Sequence, residues 1–125
     1  MFKAQGVKAQ GDAAEDRALQ WLQLRSLTLV QRNYRVARGP GARGGEIDLV
    51  MREPDGTLVF VEVRARSRAT HGGAAASVAA SKQRSLIFAA QHFLLRYATP
   101  PACRFDVVAI DGDAVQWLQA AFDAA

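Results

Sequence analysis

The feature that most constrains this sequence is a pair of β-type segments joined by a short turn. Residues 46–52 and 58–66 are rich in apolar and β-branched residues, and Pro54, Asp55 and Gly56 lie between them. Proline suits the first position of such a turn, and glycine suits a left-handed position at its end. The pattern therefore predicts a hairpin with a three-residue loop closed by Glu53 and Thr57.

The loop length sets the register, and the register gives the hairpin two different faces. Residues directly opposite each other share a face. One face is apolar and pairs Ile47 with Val63, Leu49 with Val61, and Met51 with Val59. The other face is mixed and pairs Glu46 with Arg64, Asp48 with Glu62, Val50 with Phe60, and Arg52 with Leu58. The sequence thus predicts two carboxylates, Asp48 and Glu62, opposite each other.

The remaining segments predict a mixed sheet with helices packed on it. Residues 12–25 and 81–97 carry apolar residues at helical spacing, and residues 28–36 have the mixed polarity of a sheet-edge strand. Residues 104–110 and 114–118 predict a second hairpin. Because 125 residues are about one domain's worth, we expect a single α/β domain over residues 1–125.

Composition indicates a protein that works inside the cell. No apolar run approaches the roughly 18 residues that cross a bilayer, and residues 1–10 lack the apolar core of a signal peptide. Cys103 is the single cysteine, so it has no disulfide partner within the chain. We expect a buried thiol in a cytoplasmic protein that makes no membrane contact.

Charge favours a polyanionic partner. The chain has 16 Lys and Arg against 12 Asp and Glu, a formal net charge of +4. Residues 37–45 include four glycines, whose backbone can approach a phosphate closely. Basic residues bracket the acidic segments, and we predict nucleic-acid contacts, most simply to DNA, by Arg35, Arg38, Arg43, Arg66, Arg68 and Lys82.

The opposed carboxylates need a compensating positive charge, because like charges across a hairpin destabilise it by about 0.2–1 kcal/mol. Mg²⁺ would supply it, since this ion binds through one or two carboxylates and leaves positions for phosphate oxygens. Arg64, on the same predicted face, would neutralise a phosphate. The alternative is that Arg64 pairs with Glu46 and that one acid of the pair is merely solvated.

Two further acids, Glu15 and Asp106, also lie where a charged side chain needs a partner. Glu15 falls on one helical stripe with Ala18, Leu19 and Leu22, so it leans toward the packed interface. Either a salt bridge to an arginine or contact with a metal or substrate would satisfy it. Asp106, in an apolar strand, is expected to pair with an arginine, with a contribution to the acidic site as the alternative.

Most aromatic residues have a structural interpretation. Four of them are expected in the hydrophobic core: Trp21, Phe88, Phe93 and Phe105. Trp117 suits either the core or an interface.

Several segments together resemble the YraN family of bacterial proteins. They are residues 11–22, Arg32-Asn-Tyr-Arg35, Gly45-Glu-Ile-Asp-Leu-Val50, Val59-Phe-Val-Glu-Val-Arg64, Ser81-Lys-Gln-Arg84 and Arg104-Phe-Asp-Val-Val108. That family is similar to archaeal Holliday-junction resolvases and to PD-(D/E)XK nucleases. In those nucleases a helix Glu, a strand Asp and a Glu-x-Lys motif bind Mg²⁺ and cut phosphodiesters.

The resemblance implies a restriction-endonuclease-like fold, a mixed central β-sheet flanked by helices. It also implies that Glu15, Asp48 and Glu62 are the acids of a magnesium site and that Arg64 is the remaining catalytic residue. Arg64 departs from the motif, which has lysine there. Because the guanidinium of arginine stays protonated far above neutral pH, arginine stabilises charge without transferring protons there. Lys82 would either supply an amine from elsewhere or be an ordinary exposed helix lysine.

Two hypotheses of different classes follow. The first is a Mg²⁺-dependent endonuclease acting on DNA, branched or otherwise structured, by in-line attack of water on a phosphodiester. The second is a nucleic-acid-binding module that kept the fold and lost the chemistry. The sequence leaves open whether two chains form a homodimer to cut two strands.

Overall fold

The computed structural model describes residues 2–42, 44–66 and 78–124, apart from the side chains of residues 2–10 and of Arg66. The order of elements in these ranges is helix, three strands, helix and two strands, as predicted. In chain order they are α1 (Phe2–Gln23), β1 (Thr28–Val36), β2 (Gly45–Arg52), β3 (Leu58–Arg66), α2 (Ala80–Leu94), β4 (Cys103–Asp111) and β5 (Ala114–Phe122). The boundaries differ from the prediction mainly in α1, which begins ten residues earlier than expected, at Phe2 rather than Asp12.

The strands form one mixed sheet in the order β1-β2-β3-β4-β5. Strands β3 and β4 are parallel, and the other neighbouring pairs are antiparallel. A parallel pair needs a long crossover connection, and α2 lies within it. Strand β1 lies at the edge of the sheet, as its mixed polarity predicted.

The two helices cover opposite faces of the sheet, which gives three layers. On one face α1 packs against β2, β3 and β4 through Ala14, Ala18, Leu22, Leu49, Met51, Val59, Val61, Val108 and Ile110. On the other face α2 packs through Leu86, Ala89, Ala90, Phe93, Ile47, Val50, Leu58, Phe60 and Phe105. Strands β2 and β3 therefore run between two apolar layers, where any polar side chain must find a partner.

The hairpin between β2 and β3 confirms the predicted register near the turn. Leu49 pairs with Val61, Val50 with Phe60, Met51 with Val59, and Arg52 with Leu58. The Glu53 N–H donates to the Thr57 carbonyl, and Gly56 has a φ of +94°. The turn is thus the three-residue loop that its sequence predicted.

Further from the turn, the predicted face of Ile47 is wrong. Ile47 packs in the α2 layer with Val50 and Phe60 instead of joining Leu49 in the α1 layer. The neighbouring strand changes in the same way, because Arg32 opposite Leu49 contacts α1 while Tyr34 opposite Ile47 packs in the α2 layer. Between them Asn33 has a φ of +55°. A left-handed residue interrupts the alternation of faces along a strand, and period-two reasoning does not anticipate it.

Two placements of single side chains also differ from the prediction. Cys103 is exposed at the start of β4, so it is not the buried thiol expected. Phe88 is only half-buried, because it lies on the side of α2 that faces away from the Leu86 and Phe93 stripe. An aromatic residue on a helix belongs to the core only when it shares the buried stripe.

Other predicted core positions are confirmed. Phe93 and Phe105 are buried, while Trp21 and Trp117 are partly buried and meet edge to face with ring centroids 5.7 Å apart. Over the described ranges, no helix is both long and apolar enough to cross a membrane.

Candidate functional site

Asp48 and Glu62 lie next to each other on the neighbouring strands β2 and β3. The Val63 N–H donates a 2.8 Å hydrogen bond to Asp48 Oδ2, so this backbone amide is bonded to a side chain. The carboxyl groups of Asp48 and Glu62 are within hydrogen-bonding reach of each other. We call these two residues the acid pair.

Burial dominates the electrostatics of the acid pair. Glu62 is only 8% exposed, and its Oε1 has no hydrogen-bond partner among the described residues. Burial, reinforced by the neighbouring Asp48 carboxylate, raises the pKa of Glu62 to about 8. Burial also raises the pKa of Asp48, against the opposing effect of the Val63 N–H. The burial of Glu62 excludes the alternative of a merely solvated acid for this residue.

Positive charge reaches the acid pair from α2. Lys82 Nζ lies 3.6 Å from Glu62 Oε2, although the two residues belong to different elements. Burial and Asp48 raise the pKa of Glu62. The positive charges of Lys82 and Arg64 partly oppose this rise. Lys82 is thus more than an exposed helix lysine, because it supplies part of the compensating charge.

Glu15 forms a salt bridge to an arginine, which was one of the two alternatives that its sequence position left open. Arg32 Nε lies 3.3 Å from Glu15 Oε1, and the same guanidinium lies 2.6 Å from Asp16. Burial and the charge of Asp48 raise the pKa of Glu15, while Arg32 opposes the rise. Glu15 therefore interacts electrostatically with Asp48 while being held by an arginine of β1.

The three predicted metal-site acids do not gather into one cluster. Within the described ranges, no group of three or more Asp, Glu, His or Cys side chains is arranged to hold a metal ion. The structure brings Asp48 and Glu62 together and leaves Glu15 with Arg32. Asp106 is also separate, because it is 1% exposed and accepts hydrogen bonds from Arg104, the Trp117 indole N–H and the Ala120 N–H. Its predicted pairing with an arginine is confirmed.

The acid pair fits a hard divalent cation. Mg²⁺ is usually held by one or two carboxylates and keeps several waters, so two acids are sufficient. The unpartnered Oε1 of Glu62 is a buried acceptor of the type that such an ion would bind. A cation there would take the place of the proton on Glu62 as the compensating charge.

Two neighbouring clefts open beside Lys82 and share Gly44 and Ser85. The larger has a volume of about 600 Å³ and is lined by Arg38, Gly44, Ser81, Lys82, Arg84, Ser85, Ile87, Phe88 and Gln91. The smaller has a volume of about 380 Å³ and is lined by residues 35–37, Gly44, Gly45, Glu46 and Ser85. We call the larger one the Phe88 cleft. Both are lined by basic side chains, and Lys82 of the larger cleft lies next to Glu62.

The structure places three of the six predicted nucleic-acid contacts in these clefts. Arg38 and Lys82 line the Phe88 cleft, and Arg35 lines the smaller one, where it pairs with Glu46 at 3.3 Å. Glu46 thus has Arg35 as an ion-pair partner. Arg43 and Arg68 lie outside the described residues, and the side chain of Arg66 is not described.

Among the basic and aromatic residues of the Phe88 cleft, sequence reasoning missed two, Arg84 and Phe88 itself. A signal for them exists in α2. Ser81, Arg84, Ser85 and Phe88 recur at helical spacing on a stripe different from the apolar one. A polar stripe containing one aromatic residue is typical of a helix side that faces a cleft, but the aromatic residue was assigned to the core.

Fold and site together define a class: a mixed α/β protein with a buried acid pair in its sheet and a basic cleft beside it. The chain belongs to the family described as "Uncharacterised protein family UPF0102", whose profile matches residues 14–110. This membership confirms the resemblance to the YraN family seen in the sequence motifs, since UPF0102 and YraN denote the same family. The matched range includes Glu15, Asp48, Glu62 and Lys82.

Similar proteins of this family occur in several bacteria. The UPF0102 protein Mpe_A3766 of Methylibium petroleiphilum is 63% identical over 118 residues, which cover 94% of this chain and 97% of the relative. The UPF0102 protein of Paracidovorax citrulli is 62% identical over 118 residues, 94% of this chain and 85% of the relative. That of Acidovorax sp. is 58% identical over 122 residues, 98% of this chain and 90% of the relative.

Proposed function

We propose that this protein is a Mg²⁺-dependent endonuclease acting on DNA, with a restriction-endonuclease-like PD-(D/E)XK fold. The observation that carries the proposal is the acid pair, in which a buried carboxylate oxygen of Glu62 lacks a partner among the described residues. Burying two carboxylates side by side is unfavourable unless a positive charge compensates them. A protein that used this part of its sheet only for packing would be more stable with apolar residues there.

The chain's own residues have separable roles in this proposal. Asp48 and Glu62 would hold the ion, and the Val63 N–H fixes the orientation of the Asp48 carboxylate. When bound, Mg²⁺ supplies Lewis-acid polarisation of a phosphate oxygen and lowers the pKa of a coordinated water. Arg64 and Lys82 would neutralise the phosphate, and Arg35, Arg38 and Arg84 would hold the neighbouring backbone.

A second candidate is a nucleic-acid-binding module without nuclease activity. The observation that favours it is the Lys82 ammonium 3.6 Å from Glu62, which compensates part of the negative charge without any metal. Arg64 favours it as well, because arginine at the lysine position of the motif does not transfer protons near neutral pH. In this case the basic clefts would bind DNA and the acid pair would be a remnant.

A cleavage assay separates the two candidates. Linear duplex, single-stranded and four-way DNA are incubated with the protein and Mg²⁺ or Mn²⁺. The endonuclease proposal expects cleavage that Asp48→Ala and Glu62→Ala abolish and that Arg64→Lys retains or raises. Asp113→Asn is the matched control, because it neutralises an exposed acid in the turn between β4 and β5, and it should leave cleavage unchanged.

The opposite results are equally informative. If the wild type cuts none of these substrates while Arg64→Lys does, the natural protein is a binding module with a disabled nuclease site. Cleavage that persists in Asp48→Ala, with the variant shown to be folded by circular dichroism, would refute the site assignment.

A further inference from the structure

The Phe88 cleft combines an aromatic ring with several cations. The Phe88 ring is half-buried, and the guanidinium carbon of Arg38 lies 4.4 Å from its centroid. Lys82 and Arg84 line the same cleft from the first turns of α2. The N-cap residue of α2 is Ala79, which has no side-chain oxygen to accept the first N–H groups of the helix.

This combination matches a nucleotide whose base is unpaired. An aromatic ring and a guanidinium plane both stack on the flat face of a base, and the contact tolerates any sequence. Lysine and arginine beside the ring would contact the phosphates on either side of that base. A base inside a duplex is stacked on its neighbours, so it cannot present its face to Phe88.

Size and position agree with this ligand. The cleft volume of about 600 Å³ lies within the range of roughly 300–1,000 Å³ that small-molecule sites occupy. Lys82 lines the cleft and also lies 3.6 Å from Glu62, so a phosphate bound by Lys82 would be adjacent to the acid pair.

We propose that the Phe88 cleft is a subsite for one unpaired nucleotide, whose base stacks on Phe88 in place of the Arg38 guanidinium while Lys82 and Arg84 hold its phosphates. The proposal deepens the proposed function, on which it rests for the identity of the substrate as DNA. It makes the preferred substrate a DNA that has an unpaired nucleotide next to the bond to be cut, such as a single strand or a junction with frayed bases.

Binding in the presence of EDTA tests the subsite independently of cleavage. The affinity of a fluorescein-labelled oligothymidylate and of a blunt duplex is measured by anisotropy for the wild type and for Phe88→Leu. Leucine keeps the apolar volume and removes the stacking face. We expect about tenfold weaker binding of the single strand and no change for the duplex.

Arg25→Gln is the matched control. The guanidinium carbon of Arg25 lies 3.2 Å from the centroid of the Trp21 ring, so α1 has the same kind of contact on the opposite face of the sheet. This variant should bind both DNAs as the wild type does. Equal losses in Arg25→Gln and Phe88→Leu would mean that any weakened Arg–aromatic contact has this effect, and would overturn the subsite.

A second variant reports stacking directly and does not depend on Phe88→Leu remaining folded. In Phe88→Trp, the fluorescence added by the new indole should be quenched when oligothymidylate binds, whereas the wild-type fluorescence from Trp21 and Trp117 should change little. DNA that binds without quenching this indole would overturn the proposal, whatever the nuclease assay shows. Quenching with no cleavage would retain the subsite and contradict the endonuclease.

Discussion

Glu62 combines deep burial with a second carboxyl group at hydrogen-bonding distance. Burial first, and the Asp48 charge second, raise its pKa from an ordinary value of 4.5 to about 8. The folded protein therefore keeps a proton on Glu62 that the unfolded chain has already released between these pH values. The free energy of unfolding depends on this difference in bound protons. It must therefore fall as the pH rises from 4.5 to about 8.

The first prediction is that Glu62→Gln removes this pH dependence. Between pH 4.5 and about 8 the wild type should lose stability relative to the variant, because glutamine has no charge to bury. Urea unfolding at several pH values in metal-free buffer measures the difference, with Asp113→Asn in the exposed β4–β5 turn as a control whose pH profile should follow the wild type. Parallel profiles for the wild type and Glu62→Gln would contradict the raised pKa.

Asp106 is the buried acid whose role is structural. Its carboxylate accepts hydrogen bonds from Arg104, Trp117 and the Ala120 N–H, so it ties β4 to β5. We predict that Asp106→Ala destabilises the protein by about 2–5 kcal/mol, because it leaves the Trp117 and Ala120 N–H groups without an acceptor and Arg104 with Glu53 alone. Thermal unfolding measures the loss, and a change of less than about 1 kcal/mol would show that the network contributes little.

At the scale of elements, the approach of α2 to β2 positions the site. A Cβ atom on Gly45 would lie 2.5 Å from the Ser85 carbonyl oxygen and 2.8 Å from the Ala89 nitrogen. Both obstacles are helix backbone, which cannot move without shifting the whole helix. Since α2 also carries Lys82, this contact sets how close the ammonium comes to Glu62.

The third prediction is that Gly45→Ala destabilises the fold by about 1–3 kcal/mol and moves Lys82 away from Glu62. Chemical unfolding measures the first effect, and a lower affinity for DNA accompanies the second. Gly11→Ala is the control, because a Cβ there meets nothing within 4 Å and alanine favours the helix. If Gly45→Ala were as stable as Gly11→Ala, the close packing of α2 on β2 would be wrong.

At the scale of the whole molecule, the chain has a formal net charge of +4, and four of its basic side chains line the two clefts. Arg35 and Arg84 line them from different elements, and side chains that contact phosphates release counterions on binding. DNA binding should therefore weaken steeply as salt rises, for all sequences alike. A flat salt dependence would contradict electrostatic binding.

The fourth prediction is that replacing Arg35 and Arg84 together by glutamine lowers the slope of log K against log [salt] by about 2, near 0.9 for each lost phosphate contact. Anisotropy titrations of a duplex from low to moderate salt measure this slope. Arg25→Gln, on the α1 face, should leave it unchanged. Loss of binding to one DNA sequence only would indicate base readout instead.

Much of the fold was determined by the sequence through local rules. Pro54 and Gly56 specify the turn, the turn specifies the register from Leu49 to Arg52, and the register brings Asp48 toward Glu62. The order of elements and the edge position of β1 follow from periodicity and polarity in the same way. These features depend on residues close in the chain, where a few dihedral preferences decide the outcome.

Only the tertiary structure decided what surrounds the acid pair. Ile47 packs in the α2 layer beside the point where Asn33 of the neighbouring strand adopts a left-handed conformation, and no periodic pattern predicts that conformation. Lys82 meets Glu62, and Phe88 faces a cleft, because α2 rests on β2 at the position that Gly45 permits. The physical reason is that the packing of a helix on a sheet depends on many contacts between residues distant in sequence. A short segment cannot specify these contacts.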